Sequence, residues 1–435
     1  MGNSLGFCER KSTENPIPNQ LMRVLYFHQH FTTPSAGGGI RSYEFAKTLI
    51  RHGHSVTMVC GKTSKINLPP TSEKGIFRGN IDGIDVIQLD LPYSNYDGFI
   101  KRAWTFVRFG WGCVRIALRE KYDLIFATST PLTAGIPGII AKLCGKKVPF
   151  VFEVRDLWPE LPKALGLKNP ILLAGMSALE WASYRAADAC IGLSPGICEG
   201  IKRRSPAKQK IEMIPNGCDL DLFNPKFREN LDVPGVVPGD FVAVFPGAHG
   251  LANGLPAVLD AAAELKKRAR TNIKFLFVGD GKVKPELQAR AAQENLDNCI
   301  FLNPVSKYEL SKIIASAGAG LMVLKNVPAF YYGTSPNKFF DYIASGIPVL
   351  NNYPGWLADN ITQAACGKVV PPDNPIAFAD ALEKLAGNPE LCRIYGEHGR
   401  QLAEAEFSRD RLSEQFVRFI EQTQSTHSGK KTPQN

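Results

Sequence analysis

The segment TSPNKFFDYIASGIPVL carries the strongest chemical signal in the chain. Ser335, Pro336 and Asn337 are typical of a helix N-terminus. Lys338 lies in the first turn and Asp341 three residues further on. Free amides at a helix N-terminus and an adjacent ammonium suit a phosphate, and a nearby carboxylate suits ribose hydroxyls. Helix capping alone would also account for the Ser, Pro and Asn.

Two glycine-rich turns in the same half could hold a diphosphate. In FPGAHGLANGLPAVLDAA, His249 and Asn253 lie among glycines that permit tight backbone and could donate to a phosphate or a sugar hydroxyl. In VGDGKVKPEL, Gly279 ends a strand, and Lys282 or Lys284 can reach a diphosphate. A packed imidazole and solvated lysines are the ordinary alternatives.

A third glycine-rich turn lies near the start of the chain. The glycines at 37–39, including Gly38 and Gly39, precede an amphipathic helix with Arg41 in its first turn. Such a turn lets a phosphate approach the backbone at a helix N-terminus. The spacing matches neither Gly-x-Gly-x-x-Gly nor a P-loop, which disfavours nicotinamide and ATP sites. A flexible connector is the other interpretation.

Carboxylates and an arginine crowd the end of another strand, in FEVRDLWPELPKALG. Glu153, Arg155 and Asp156 would point into a cleft there, and a carboxylate could accept a proton from an attacking hydroxyl. A surface pair of Arg155 with Asp156 is equally compatible with the residue types.

The elements that position these residues alternate between short apolar strands and helical segments. Strand-like runs occupy 23–27, 55–59, 84–89, 123–127, 149–153, 189–193 and 210–214, then 241–246, 273–278, 299–302, 320–324 and 347–350. Pro and Gly are dense at 224–240, which is typical of a linker. The pattern predicts an α/β fold with two Rossmann-like doubly wound domains facing a central cleft, where ligands bind at the carboxyl ends of strands.

The expected organisation has five parts. Residues 1–21 form a flexible extension, 22–230 the first domain and 238–395 the second. Helices over 396–423 pack back toward the first domain, and 424–435 form a disordered tail.

Composition limits the partners. The chain has 435 residues, 21% of them charged, and a formal net charge of +10, which favours anionic partners. Nucleic acid is not expected, because basic and aromatic residues interleave in only one helix. Ten scattered cysteines without Cys-x-x-Cys spacing suggest neither zinc nor disulfides and fit the cytoplasm. No window has the unbroken apolar run that spans a bilayer.

Taken in order, these motifs resemble the retaining family 4 glycosyltransferases of the GT-B fold. The resemblance runs from about residue 22 to about 407. Besides the segments quoted above, IPNGCDLDLFNP belongs to it. Within the family, bacterial O-antigen and capsule enzymes that transfer N-acetyl-L-fucosamine are similar.

The resemblance implies transfer from a nucleoside diphosphate sugar, here a UDP-sugar, held mainly by the second domain. The implied donor-binding residues are Gly38, Gly39, His249, Asn253, Gly279, Lys284, Ser335, Asn337 and Asp341. The implied catalytic residues are Lys282, Lys338 and Asp156, and the implied acceptor-binding residues are Arg41, Glu153 and Arg155.

The chain departs from the family pattern of two glutamates seven residues apart. Asp341 is a shortened second carboxylate, and the first position is Gly333. A deoxy sugar would need fewer hydroxyl contacts there. No Asp-x-Asp pair stands at a plausible metal position, so we expect neither a metal nor another cofactor, with cations and helix dipoles stabilising the leaving group instead.

The segment GFIKRAWTFVRFGWGCVRIALREK suggests where the acceptor is found. Its mixture of aromatic and basic residues could lie on anionic lipid, or it could simply cover the sheet. With the resemblance, it predicts a polyprenyl-diphosphate-linked sugar acceptor at the inner face of the plasma membrane. A nucleotide-sugar 2-epimerase and a non-catalytic nucleotide-sugar binding protein are the alternatives.

Overall fold

The computed structural model describes residues 21–34, 39–62, 66, 68–94 and 97–429. Residues 1–20 of the predicted extension therefore lie outside the described residues, and so does Gly38. In the described part of the chain, two β-sheets are each covered by helices on both faces. The predicted pair of doubly wound domains is confirmed.

The N-terminal sheet has the strand order β3-β4-β2-β1-β5-β6-β7-β8. Its strands are β1 (Arg23–Phe27), β2 (Ser55–Gly61), β3 (Ile76–Ile81), β4 (Ile84–Leu89), β5 (Leu124–Thr128), β6 (Phe150–Val154), β7 (Ala189–Gly192) and β8 (Lys210–Met213). The helices of this half are α1 (Arg41–Arg51), α2 (Phe99–Arg119), α3 (Ile136–Leu143), α4 (Glu160–Ala164), α5 (Pro170–Ala186) and α6 (Pro195–Arg204). All neighbouring strands pair in parallel except β3, which runs antiparallel to β4.

The C-terminal sheet has the order β11-β10-β9-β12-β13-β14, and all its pairs are parallel. Its strands are β9 (Phe241–Pro246), β10 (Ile273–Val278), β11 (Cys299–Leu302), β12 (Ala319–Met322), β13 (Val349–Asn351) and β14 (Gly367–Val369). Its helices are α7 (Pro256–Lys267), α8 (Lys284–Gln293), α9 (Lys307–Ser316), α10 (Pro328–Tyr331), α11 (Asn337–Ala344), α12 (Trp356–Gln363) and α13 (Pro375–Ala386).

The central strands are apolar because helices bury both of their faces. In β5 and β6 every residue is buried. One face of the N-terminal sheet packs against α2, α3, α5 and α6, and the C-terminal sheet likewise has a core on each face. Apolar runs without polar alternation are therefore the correct strand signal in this chain.

The last two helices are α14 (Pro389–Glu406) and α15 (Arg409–Gly429). Helix α15 completes the second core of the N-terminal half, where the Phe416 ring stacks on Phe45 at 4.1 Å and meets Phe126 edge-on at 5.0 Å. The helix continues to Gly429, so the disorder predicted from residue 424 is wrong for 424–429. The hydroxyls of Ser425 and Thr426 donate hydrogen bonds to backbone carbonyls one turn earlier, as such side chains can do within a helix.

The proline-rich linker packs against the C-terminal half. Val233 is buried in the core beneath α9, and the Arg228 Nε donates to the Ala315 carbonyl at 3.0 Å. The linker is therefore an ordered part of that half.

Candidate active site

Each sheet has one place where the strand order reverses direction, and there the connections leave on opposite sides and open a crevice. In the N-terminal sheet this point lies between β1 and β5, and in the C-terminal sheet between β9 and β12. Most of the predicted site residues follow these strands or their neighbours.

His249 lies just beyond β9 and is fully buried, with no hydrogen-bond partner for either ring nitrogen among the described residues. Its ring packs between Phe245 and Phe277, each at 6.2 Å. Burial, together with the nearby Lys284 and Lys338, lowers the pKa of His249 to about 4. The imidazole is therefore neutral near pH 7, and its unsatisfied nitrogens are available to a polar ligand.

The glycines beside His249 are required by close backbone contact. A Cβ on Gly279 would lie 2.0 Å from the Gly247 carbonyl oxygen, and one on Gly281 would lie 2.4 Å from that of His249. The His249 amide donates to the Asp280 carbonyl at 2.9 Å, which joins the two turns. The two glycine-rich segments that the sequence singles out thus form one rigid loop pair.

Lys338 lies in the first turn of α11, and its side chain extends toward Phe245 and His249. Its Nζ lies 3.7 Å from the centroid of the Phe245 ring. Removal from water lowers the pKa of Lys338 to about 7. An ammonium that has lost part of its hydration gains much by binding an anion, as predicted for this lysine.

Three other residues of this crevice mainly hold the protein together. The Lys284 Nζ donates to the carbonyls of Gly279 and Leu302 at 2.8 Å and to the Asn303 Oδ1 at 3.1 Å. Its three N–H donors are therefore used within the domain, and its contact with the nucleotide-sugar donor stays a prediction. The Asn253 Nδ2 donates to the Ala248 carbonyl at 2.6 Å and steadies the turn. Lys282 is exposed beside them.

The loop before α11 bridges the two halves. The Asn216 amide donates to the Ser335 Oγ at 3.1 Å, so Ser335 holds a cross-cleft contact where donor binding was predicted. The Ser194 Oγ donates to the Tyr332 carbonyl at 2.9 Å. A Cβ on Gly39 would lie 3.4 Å from the Asn337 Nδ2, which brings two predicted donor residues together across the cleft.

Asp341 is buried on the same helix. Burial raises its pKa to about 6, partly offset by Lys307 and Arg409. Lys307 begins α9, after Ser306 caps the helix by accepting from the Glu309 amide at 3.1 Å. The sequence interpretation missed Lys307, although the N-cap serine before it was a usable signal.

In the N-terminal half, Arg41 and Glu153 do not face the cleft. They form a buried ion pair at 2.8 Å, with side chains 5% and 0% exposed. Arg41 also donates to the carbonyls of Ile214 and Pro215, and the Thr128 hydroxyl donates to Glu153 at 2.8 Å. Both side chains thus have internal partners that fit a structural role, and their acceptor contacts stay a prediction.

Arg155 and Asp156 follow the same strand and lie at the crevice, half-buried. The Arg155 amide donates to the Ser129 Oγ at 2.8 Å. Burial raises the pKa of the Asp156 carboxyl. His28 directly follows β1, where burial and the nearby Arg155 charge lower the pKa of its imidazole. The sequence interpretation missed His28, although the run HQH directly after a strand could have revealed it.

Comparison with known proteins agrees with this geometry. The family described as "Glycosyl transferase 4-like domain" matches residues 36–217, and "Glycosyl transferases group 1" matches residues 226–402. The chain therefore belongs to the family 4 glycosyltransferases of the GT-B fold.

Two curated relatives illustrate the likeness. The O-antigen chain mannosyltransferase C of Escherichia coli is 27% identical over 58% of this chain and 65% of its own length. The alpha-D-kanosaminyltransferase of Streptomyces kanamyceticus is 25% identical over 40% of this chain and 44% of its own. The chain thus spans about half the length of the curated relatives it matches.

Two solved structures share the fold. Sucrose-phosphate synthase from Thermosynechococcus elongatus has a TM-score of 0.74 at 19% identity, covering 93% of this chain and 99% of its own. Anabaena HepE, solved in complex with UDP, has a TM-score of 0.64 at 15% identity, covering 92% of this chain and all of its own.

A membrane-spanning helix and a metal-ligand cluster are both absent from the described residues. No helix among them is both long and apolar enough to span a bilayer. No three His, Cys, Asp or Glu side chains in that part of the chain gather as metal ligands.

Proposed function

We propose that the protein is a retaining glycosyltransferase that takes a sugar from a nucleoside diphosphate sugar. One observation carries this: the unpaired His249 and the desolvated Lys338 meet at the C-terminal switch point, opposite the N-terminal half. Such a crevice suits a diphosphate, because its charge restores solvation to the ammonium and its oxygens can accept from the imidazole.

The proposed reaction is a front-face displacement. The bond from the anomeric carbon to the diphosphate oxygen breaks, and the acceptor oxygen bonds to that carbon on the same face. The departing diphosphate takes the acceptor proton. Lys338 stabilises the charge that builds on the leaving oxygens, and no metal is needed for that role. Asp156 is a candidate for positioning the acceptor hydroxyl.

The proposed donor is a UDP-sugar carrying an N-acetylated deoxy-aminosugar. The UDP bound to HepE supports the base, and the aminosugar in the name of the kanosaminyltransferase supports the sugar class. Gly333 in place of a glutamate leaves fewer groups for sugar hydroxyls, which favours a deoxy sugar.

The proposed acceptor is a lipid-linked saccharide of O-antigen or capsule synthesis at the cytoplasmic face of the membrane. Helix α2 covers the sheet with one face, which includes Phe109 and Cys113. Its other face exposes Ile100, Trp104 and Trp111 by 83%, 63% and 59%. Both tryptophans line a groove of about 810 Å³ together with Arg108, Arg115 and Arg119, and three carboxylates also line it, Glu73, Asp90 and Glu120. Exposed aromatic and basic side chains on one helix face suit an anionic lipid surface.

Incubation with donors tests the proposal. The protein is titrated with UDP-, GDP- and dTDP-sugars by thermal shift, and the stabilising donor is then supplied radiolabelled with lipid extract, with and without EDTA. We expect UDP-sugars to stabilise it and label to enter lipid at the same rate in EDTA. Conversion of donor alone into an epimer, or binding without transfer, contradicts the proposal. A preference for GDP-sugars contradicts the uridine assignment.

A further inference from the structure

The indole of Trp356 holds the segment that leads into α11. Trp356 is the first residue of α12, and its Nε1 donates to the Thr334 carbonyl at 2.7 Å. Its ring is buried in the core of the C-terminal half, where it meets the Phe407 ring edge-on at 6.4 Å. Because packing fixes the ring, the direction of its N–H is fixed too, and the Thr334 carbonyl is held where that donor points.

The turn before Trp356 packs along the same segment. A Cβ on Gly355 would lie 2.4 Å from the Tyr331 carbonyl oxygen, and Gly355 has a φ of 118°, so this position requires glycine. The Tyr353 ring stacks on the Tyr331 ring, with centroids 6.2 Å apart. The turn that ends at Trp356 therefore restricts the backbone of the segment from Tyr331 to Thr334.

The N-terminal half holds the other side of this segment. The Ser194 Oγ donates to the Tyr332 carbonyl at 2.9 Å, and the Asn216 amide donates to the Ser335 Oγ at 3.1 Å. Helix α11 begins directly afterwards, with Lys338 in its first turn. The segment is therefore held between the two halves, and the start of α11 depends on both sets of contacts.

We propose that Trp356 is a positioning residue for the transfer: its hydrogen bond to the Thr334 carbonyl fixes the start of α11 and so keeps the Lys338 ammonium in the C-terminal crevice. This inference rests on the proposed function. In it, Trp356 acts through the backbone before α11 and not by contact with the donor. A buried indole N–H needs an acceptor, and here the acceptor belongs to the segment that carries Lys338 into place.

The titration of the Lys338 amine tests this proposal without any need for sugar transfer. Labelling with acetic anhydride at a series of pH values, read by mass spectrometry, reports the pH at which this amine loses its proton. Removal from water lowers the pKa of Lys338 to about 7, so the wild-type midpoint should lie there. In Trp356→Phe we expect the segment to relax, Lys338 to gain water and the midpoint to rise by about one pH unit or more.

Trp181→Phe is the matched control, because Trp181 is a half-exposed tryptophan of α5 in the other half of the molecule. Its Lys338 midpoint should equal that of the wild type. An unchanged midpoint in Trp356→Phe, or an equal rise in Trp181→Phe, would overturn the proposal.

A change of one group at Trp356 keeps the test decisive if the phenylalanine variant folds poorly. The benzothiophene analogue of tryptophan, incorporated at position 356, replaces the indole N–H by sulfur and retains the fused ring. We expect the Lys338 midpoint to rise as in Trp356→Phe, with the melting temperature close to that of the wild type. A wild-type midpoint with the analogue would assign the effect to ring packing and overturn the role of the hydrogen bond.

Turnover connects the position of Lys338 to the reaction. With radiolabelled donor and lipid extract, kcat in Trp356→Phe should fall roughly tenfold, because a small misplacement of a catalytic group is costly, while the donor KM changes far less. A raised KM with unchanged kcat would indicate a role in donor binding alone and contradict the proposal. If the wild type transfers no sugar, the proposed function fails, whereas a raised Lys338 midpoint in Trp356→Phe would still establish that Trp356 positions this ammonium.

Discussion

At the scale of single residues, two lysines of similar sequence context have different environments. The Lys284 Nζ donates its three hydrogen bonds to carbonyl and amide oxygens of its own domain. Lys338 is half-buried over the ring of Phe245, its removal from water lowers its pKa, and it forms no ion pair with any described residue. Burial with no compensating charge is a mark of functional sites, so we assign the leaving-group charge to Lys338.

Replacing Lys338 is expected to reduce turnover strongly. By analogy with oxyanion donors, Lys338→Ala should lose about 2–4 kcal/mol of transition-state stabilisation, or roughly 30- to 1000-fold in kcat. Steady-state rates with saturating donor measure this, with Lys384→Ala on the exposed side of α13 as the control. Unchanged kcat in Lys338→Ala would remove this residue from the chemistry.

Donor binding is expected to weaken as the pH rises above neutrality. Desolvation lowers the pKa of Lys338 to about 7, so the free protein loses this positive charge between about pH 6 and 8. A diphosphate binds the charged form, so the donor Kd should rise by about tenfold per pH unit above 7.5. His249, with a pKa of about 4, stays neutral over this range.

Calorimetric titration of UDP from pH 6 to 9 measures this dependence. In Lys338→Arg the guanidinium remains charged, and the profile should flatten. An equally steep profile in Lys338→Arg would assign the titration to another group.

At the scale of elements, the Arg41–Glu153 pair ties three of them together. Arg41 begins α1, Glu153 belongs to β6, and the carbonyls that Arg41 binds follow β8. Arg41 and Glu153, which the sequence analysis predicts to bind the acceptor, thus hold α1, β6 and the segment after β8 together. Their partners are 112 and more than 170 positions away in sequence, which local patterns do not reveal.

Breaking this pair is expected to destabilise the fold. Arg41→Ala leaves the Glu153 carboxylate buried without its cation, which should cost about 3–5 kcal/mol. Urea unfolding followed by fluorescence measures the loss, and Arg23→Ala, which breaks the exposed pair with Asp123, should shift the midpoint far less. Equal shifts in both variants would contradict the structural assignment.

Helix α2 is expected to bind anionic lipid through its exposed face. Replacing both Trp104 and Trp111 by Ala removes the largest apolar side chains on that face without touching the core. Flotation with vesicles containing one-third phosphatidylglycerol should show bound wild type and mostly unbound double variant, whereas pure phosphatidylcholine binds neither. Tyr308→Ala, an exposed aromatic of α9, is the control, and equal flotation of all three proteins would contradict the lipid face.

Most strands were predictable, and the exceptions have local causes. Strands β1, β4, β9, β10 and β11 have the predicted bounds, because each is a short run of mostly apolar residues. Strand β3 was missed, since it is an antiparallel edge with Gly79 and Asn80 in its middle. Strand β14 was also missed, because it has only three residues. Burial on both faces leaves a signal in sequence, whereas an edge strand is recognised only by its partner.

At the scale of the whole molecule, the two crevices follow from chain order. Parallel strands with right-handed connections place the carboxyl ends of all strands except β3 on one edge of each sheet, so the motifs had to gather at two switch points. The sequence could therefore predict the fold and the location of Gly39, Lys338 and Asn337. It could not predict which polar groups the protein satisfies internally, since that depends on contacts such as Ser335 with Asn216 across the cleft.

Helix α15 returns the end of the chain to the N-terminal half. This helix follows the second half in sequence but lies in the core of the first, with Phe416 between Phe45 and Phe126. Together with the bridging loop before α11, it links the halves and keeps the C-terminal crevice opposite the N-terminal one. That arrangement is what the proposed transfer requires, because two reactants must be held close together.

A crystal structure with UDP bound tests the proposed diphosphate site at Lys338 most directly. It should show the β-phosphate within hydrogen-bond distance of the Lys338 Nζ, beside His249 and the N-terminus of α11. The phosphate should face the N-terminal half across the cleft. A nucleotide bound elsewhere, or a Lys338 side chain still resting on Phe245 with the diphosphate held by other groups, would contradict it.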